Sequence, residues 1–96
     1  MNLFIVVTTR RSGPLLKGLA EACGRKGMTW SVFFTGEGVA LLHQQECLVA
    51  MKDADAAVAC GESWSALYQE LDCPVEIGSQ LNNSMMVGKA SRVISL

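Results

Sequence analysis

Residues 3–8 read Leu3-Phe4-Ile5-Val6-Val7-Thr8, an apolar run unbroken until its last residue. A strand with one wet face alternates apolar and polar residues, whereas a strand covered on both faces does not. The run therefore predicts a buried strand of a parallel sheet. Parallel neighbours cannot be joined by a tight hairpin and need a crossover, usually a helix. The next residues supply one. Thr9 to Pro14 is a polar loop ending in Gly13 and Pro14, and proline is favoured in a first helical turn. Leu15, Leu16, Leu19, Ala22 and Cys23 then recur at helical spacing, with Lys17, Glu21 and Arg25 largely between them. Gly27 is a helix stop.

The alternation continues along the chain. Trp30 to Thr35 predicts a second strand, followed by Gly36-Glu37-Gly38, and Val39 to Leu42 opens a second helix. His43 to Lys52 fits either a continuation of that helix or a break and a new one. Ala56-Ala57-Val58-Ala59-Cys60 is a short third strand of small residues, and Gly61-Glu62-Ser63 has helix-start chemistry. Trp64, Leu67, Tyr68 and Leu71 share one helical face, and Pro74 closes that region. Val75 to Ile77 predicts a fourth strand, Gly78-Ser79 leads into a helix bearing Leu81, Met85 and Met86, of which the two methionines read as packing residues, and Arg92 to Leu96 predicts a fifth strand. The order β-α-β-α-β-α-β-α-β implies an α/β fold: a single three-layer α/β/α domain, residues 1–96, on a mostly parallel five-stranded sheet.

Composition narrows the function. The net charge is −1, and the only basic pairs are Arg10-Arg11 and Arg25-Lys26. A nucleic-acid binder clusters Lys and Arg, so nucleic acid is not expected as a partner. No stretch approaches ~18 apolar residues, so no membrane span is expected. Met1 to Val7 lacks a charged leader and a small-residue cleavage site, and reads as a strand rather than a signal peptide. The expected localisation is cytoplasmic. A mean hydropathy of +0.28 is high for so small a chain and points to apolar surface buried against another subunit.

The four cysteines, at 23, 47, 60 and 73, contain no Cys-x-x-Cys, and the chain has one histidine. Neither a metal site nor a disulfide framework is expected. Gly36-Glu37-Gly38 lacks the lysine and spacing of a phosphate loop, and the first loop lacks G-x-G-x-x-G, so no cofactor is expected.

In open parallel sheets, reactive groups gather beyond the carboxyl ends of the strands. Cys60 stands there, at the mouth of a helix. A helix N-terminus carries about half a positive charge, which favours the thiolate. Gly61 lets the backbone approach and leaves the sulfur accessible, while the Glu62 carboxylate opposes ionisation if it lies close. Arg10 and Arg11, in the first loop, are candidates for holding an anionic group near Cys60. Cys23 faces the core, and Cys73 sits at the wrong edge of the sheet. Cys47 and His43, four residues apart, would be neighbours on one helix, where the imidazole could assist the thiol. A strand-end cysteine packed like alanine is the other reading of Cys60.

These residues resemble the DsrE/TusD-like sulfur-relay proteins along nearly the whole chain. Leu3 to Thr8 is similar to the family's first strand. Trp30-Ser31-Val32-Phe33-Phe34-Thr35-Gly36-Glu37-Gly38-Val39 is similar to its second strand and turn, and Ser91-Arg92-Val93-Ile94-Ser95-Leu96 to its ending. The resemblance implies that Cys60, closing the third strand in Val-Ala-Cys-Gly, carries sulfur as a persulfide. It also implies homo- or hetero-oligomers, and donor and acceptor proteins as partners. The family often places small and then basic residues after the cysteine, whereas Gly61-Glu62-Ser63-Trp64 follows here. Some members lack the cysteine and serve as structural partners, so two functions stand: a sulfur carrier acting through Cys60, and a non-catalytic interaction subunit. A small redox or nucleotide-binding module is a third reading.

Overall fold

The computed structural model describes residues 3–69 and 71–96. Five strands, β1 (Leu3–Val7), β2 (Trp30–Phe34), β3 (Ala56–Cys60), β4 (Glu76–Gly78) and β5 (Arg92–Ser95), form one sheet in the order β4-β3-β2-β1-β5. Every neighbouring pair is parallel. The helices are α1 (Gly13–Lys26), α2 (Gln45–Ala50), α3 (Gly61–Tyr68) and α4 (Gln80–Lys89). The parallel α/β architecture expected from the unbroken apolar run is therefore the one observed.

Side chains alternate between the faces of a strand, and β1 divides accordingly. Leu3, Ile5 and Val7 join one buried cluster with Leu16 and Ala20 of α1, Trp30, Val32 and Phe34 of β2, and Trp64 of α3. Phe4 joins a second, smaller cluster with Phe33, Val58, Cys60 and Met86 of α4. The first cluster holds most of the apolar burial. Each large side chain removed from water there contributes about 1.5–3 kcal/mol. Helix α1 is bounded as its sequence implies. Pro14 lies in the first turn, and Gly27 takes the left-handed conformation (φ 66°), donating its N–H to the carbonyls of Cys23 and Gly24.

One choice left open is settled, and two expectations are corrected. Residues 36–53 do not form one helix: a 3-10 segment (Gly36–His43) stops at an extended Gln44, then α2 runs six residues and a 3-10 turn (Met51–Asp53) ends the crossover. The four-residue stripe expected of α3 is only half used. The helix ends at Tyr68, Gln69 turns the chain with φ 42°, and Leu67 and Leu71 are 44% and 58% exposed. The Trp64 indole N–H instead donates to the Leu71 carbonyl at 2.7 Å, tying down the chain beyond the helix. On α4 only Met86 packs inward, while Leu81 and Met85 are exposed. The helix meets the sheet along a narrow line, so neighbours of Met86 at about 100° around the axis face outward.

The loop after β2 crosses the end of β1 very closely. A Cβ built on Gly38 would collide with the Val7 carbonyl, a backbone group that cannot swing aside, whereas a Cβ on Gly18, in exposed α1, meets nothing within 4 Å. Gly38→Ala should therefore lower unfolding stability by at least ~1 kcal/mol, and Gly18→Ala should raise it by ~0.5–1 kcal/mol. Urea denaturation of both variants checks the pair. Equal effects would mean that the loop does not make this crossing.

Candidate functional site

Cys60 is the last residue of β3 and the N-cap of α3. Both roles follow from sequence: small residues keep β3 close to its neighbours, and the polar turn Gly61-Glu62-Ser63 starts the helix. Strand pairing supplies the next group. Phe34 of β2 lies opposite Ala59, so Thr35 leaves the sheet beside Cys60. Ser63 stands three residues past the N-cap, the position whose side chain and N–H reach back toward the cap residue.

These neighbours decide the ionisation of the thiol. Burial pushes the Cys60 thiol up. The Ser63 hydroxyl, the backbone N–H groups of Ser63 and Glu62, and the Thr35 hydroxyl all hydrogen-bond the sulfur and outweigh it, so the thiol is drawn below its ordinary value. Both hydroxyls are backed by a nitrogen donor. The Gly36 N–H donates to Ser63 Oγ at 2.8 Å, and Gln80 Nε2 donates to Thr35 Oγ1 at 3.4 Å. The other three cysteines go the opposite way. Burial pushes Cys23 up; burial and the Glu46 carboxylate push Cys47 up; burial pushes Cys73 up against one opposing hydrogen bond from Val75.

Cys60 is 6% exposed. It opens on a groove of about 270 Å³, walled by Glu62, Gly78, Ser79, Gln80 and Leu81. The groove lies between the start of α3 and the start of α4. Its floor depends on Gly78, where a Cβ would come within 2.6 Å of Val58 Cγ1.

The other expected site residues fall as follows. Glu62 reaches Cys60 through its backbone N–H, which favours the thiolate, while its exposed side chain forms part of the groove wall. Gly61 packs against β4, where a Cβ would meet Ile77 Cγ2 at 3.0 Å. Arg10 pairs with Glu37 at 3.1 Å, with both side chains more than half exposed. Exposed pairs of this kind add about 0–1 kcal/mol. Arg10 and Arg11 line a separate depression with Thr9 and Glu37, and neither walls the groove at Cys60.

His43 and Cys47 do not form a pair. The break at Gln44 puts them on different elements. Cys47 is buried, its thiol donating to Gln44 Oε1 at 3.7 Å. The His43 ring stacks on Trp64 (centroids 5.5 Å, 14° between planes) and meets the edge of Tyr68 at 4.1 Å.

The helix start was expected to turn its backbone N–H groups toward Cys60, and those of Glu62 and Ser63 do so; the Ser63 hydroxyl, Thr35 and Gln80 were not singled out from sequence. Ser63 carried a readable signal, its place three residues after a helix cap. Thr35 and Gln80 carried none, because only strand order and register bring them to Cys60. Among the described residues no group of three or more His, Cys, Asp or Glu is placed to hold a metal ion. No helix among them is long and apolar enough to cross a membrane. In comparisons with known proteins, no family model and no curated protein matches this chain.

A thiolate is the species that alkylates. Cys60 should therefore react with a small electrophile at a lower pH than Cys23, Cys47 or Cys73, as read by peptide mass spectrometry across a pH series. Ser63→Ala removes one hydrogen bond to the charged sulfur and should slow Cys60 roughly tenfold near neutrality. Four cysteines titrating together would contradict the site.

Proposed function

We propose that this chain is a sulfur carrier of the DsrE/TusD-like type, holding sulfane sulfur as a persulfide on Cys60 and passing it to a cysteine of a partner protein. One observation carries the reading: of four cysteines, Cys60 alone has its thiol drawn toward the thiolate, and it stands at the carboxyl edge of the sheet beside a groove. The sequence resemblance points to the same residue.

The chemistry is a sulfur transfer between thiols. The Cys60 thiolate attacks the outer sulfur of a donor persulfide, R–S–SH. A bond forms between Cys60 Sγ and that sulfur as the donor's S–S bond breaks. The electron pair of the broken bond leaves on the donor as R–S⁻, and the proton on the transferred sulfur stays with it. No net oxidation occurs, so the exchange needs no added oxidant. Delivery is the same step with Cys60 as the leaving thiolate, and the donors that stabilise Cys60 as an anion help it leave. Leu81 at the groove and Met85 one turn along α4 are 70% and 53% exposed, and give a partner an apolar surface next to the sulfur. They also support assembly into a homo- or hetero-oligomer. The cycle suits the reducing cytoplasm, where the thiol is regenerated after each delivery.

The second reading, a structural subunit with Cys60 packed and inert, draws support from the low exposure of the residue in the isolated chain. Sulfur uptake separates the two. Incubated with a low-molecular-weight persulfide, the protein should gain one sulfur by intact mass, reversibly with reductant, and Cys60→Ala should gain none. If the wild type takes up nothing, or the variant takes up as much, the structural reading stands instead.

A further inference from the structure

The hydrogen bonds around Cys60 extend beyond the groups that touch the sulfur. A hydroxyl has one proton to give and two lone pairs to receive with, so its usefulness to a thiolate depends on which way it points. At Thr35 that direction is set from α4. Asn83 Nδ2 donates to Gln80 Oε1 at 3.4 Å. With its oxygen engaged there, the Gln80 amide turns its nitrogen to Thr35, and Nε2 donates to Thr35 Oγ1 at 3.4 Å. Thr35 leaves β2 beside Cys60, because Phe34 lies opposite Ala59, so the proton that its hydroxyl keeps can turn to Sγ, the direction in which Thr35 draws the thiol down. The chain of donors runs one way: Asn83, Gln80, Thr35, Cys60. Were it reversed, Thr35 would give its proton to the Gln80 oxygen and the sulfur would lose a donor.

Asn83 holds this orientation although its Oδ1 is buried without a hydrogen-bond partner among the described residues. Such an orphan acceptor costs stability and calls for an explanation. Fixing the direction of the relay supplies one. The Ser63 hydroxyl needs no such help, because the donor behind it is the backbone N–H of Gly36, which cannot reverse.

We propose that Gln80 is a positioning residue for Cys60, holding the Thr35 hydroxyl as a donor to the sulfur and so coupling the start of α4 to the nucleophile. The inference rests on the reading of Cys60 as the reactive group.

Alkylation of Cys60 by a small electrophile, followed against pH, tests this without any sulfur donor. Gln80→Met keeps the length of the side chain and removes the amide. It should slow alkylation roughly threefold near neutral pH, a partial loss of one hydrogen bond to an anion, and leave the plateau rate at high pH unchanged. Thr35→Val should slow the reaction too, and Thr35→Ser should restore it. In the Thr35→Val background, Gln80→Met should have no further effect. Gln80→Glu, whose carboxylate accepts the Thr35 proton, should slow the wild type at least as much as Gln80→Met. The proposal is overturned if Gln80→Met leaves the wild-type profile unchanged, or slows both backgrounds equally. Coupled alkylation in a protein that takes up no persulfide would sink the carrier and keep the positioning role; uptake without coupling would do the reverse.

Discussion

The parallel pairing of β2 with β3, with Phe34 opposite Ala59, is the constraint on which the chemistry at Cys60 depends. Parallel strands end at the same edge of the sheet, so the residues that follow them leave side by side. Thr35 therefore emerges next to Cys60, and Gly36 emerges where its N–H reaches Ser63. A one-residue slip in this pairing would turn the alternate faces of β3 over. It would move Cys60 out of its cluster with Phe33 and Val58 and break its relation to Thr35 at once. The large apolar cluster on the other face resists the slip, because Phe34 and Ala59 are both fully buried in it. The apolar core thus sets the geometry of a polar site to which it contributes no polar atom.

Strand order brings in the second half of the site. The chain steps outward from β1 through β2 and β3 to β4, then returns past three strands to place β5 on the far side of β1. Right-handed crossovers put a helix on one face when the chain steps one way and on the other when it steps back. Helix α4 belongs to the returning step, and its Met86 accordingly packs with Phe4, Phe33, Val58 and Cys60 rather than with the partners of α1. Its first residues consequently lie at the carboxyl edge beside the sulfur. Two helix starts, α3 and α4, flank one cysteine as a result of a single reversal in strand order. The donors that face the sulfur outweigh its burial, so a cysteine that is mostly shielded from water still ionises more readily than an ordinary thiol.

Much of this was legible in the sequence, for identifiable reasons. The five strands read clearly because four of them are short, dense in apolar or small residues and bounded by glycine, proline or polar turns. Cys60 read clearly because it ends such a strand directly before a helix start. The segment from Gly36 to Asp53 was not legible, since 3-10 turns and a six-residue helix do not hold the 3.6-residue period on which such reading rests. Leu67 and Leu71 misled because the periodicity was real while the helix was short, and a stripe of leucines carries no mark of where α3 stops. Arg10 offered a plausible anion contact from its loop, but its charge is directed to Glu37, whose position depends on the fold of the neighbouring loop. Gln80 lies twenty residues from Cys60 in a helix otherwise unremarkable in pattern, and meets the site only through topology.

A sulfur carrier must hold sulfur on Cys60 in the cell. The most direct measurement is tandem mass spectrometry on the protein isolated from its own cells after rapid trapping with an electrophile that caps both thiols and persulfides. The Cys60 peptide should carry an additional sulfur, and the peptides of Cys23, Cys47 and Cys73 none. Cys60 recovered only as the capped thiol, or extra sulfur spread evenly over all four cysteines, would contradict the carrier role.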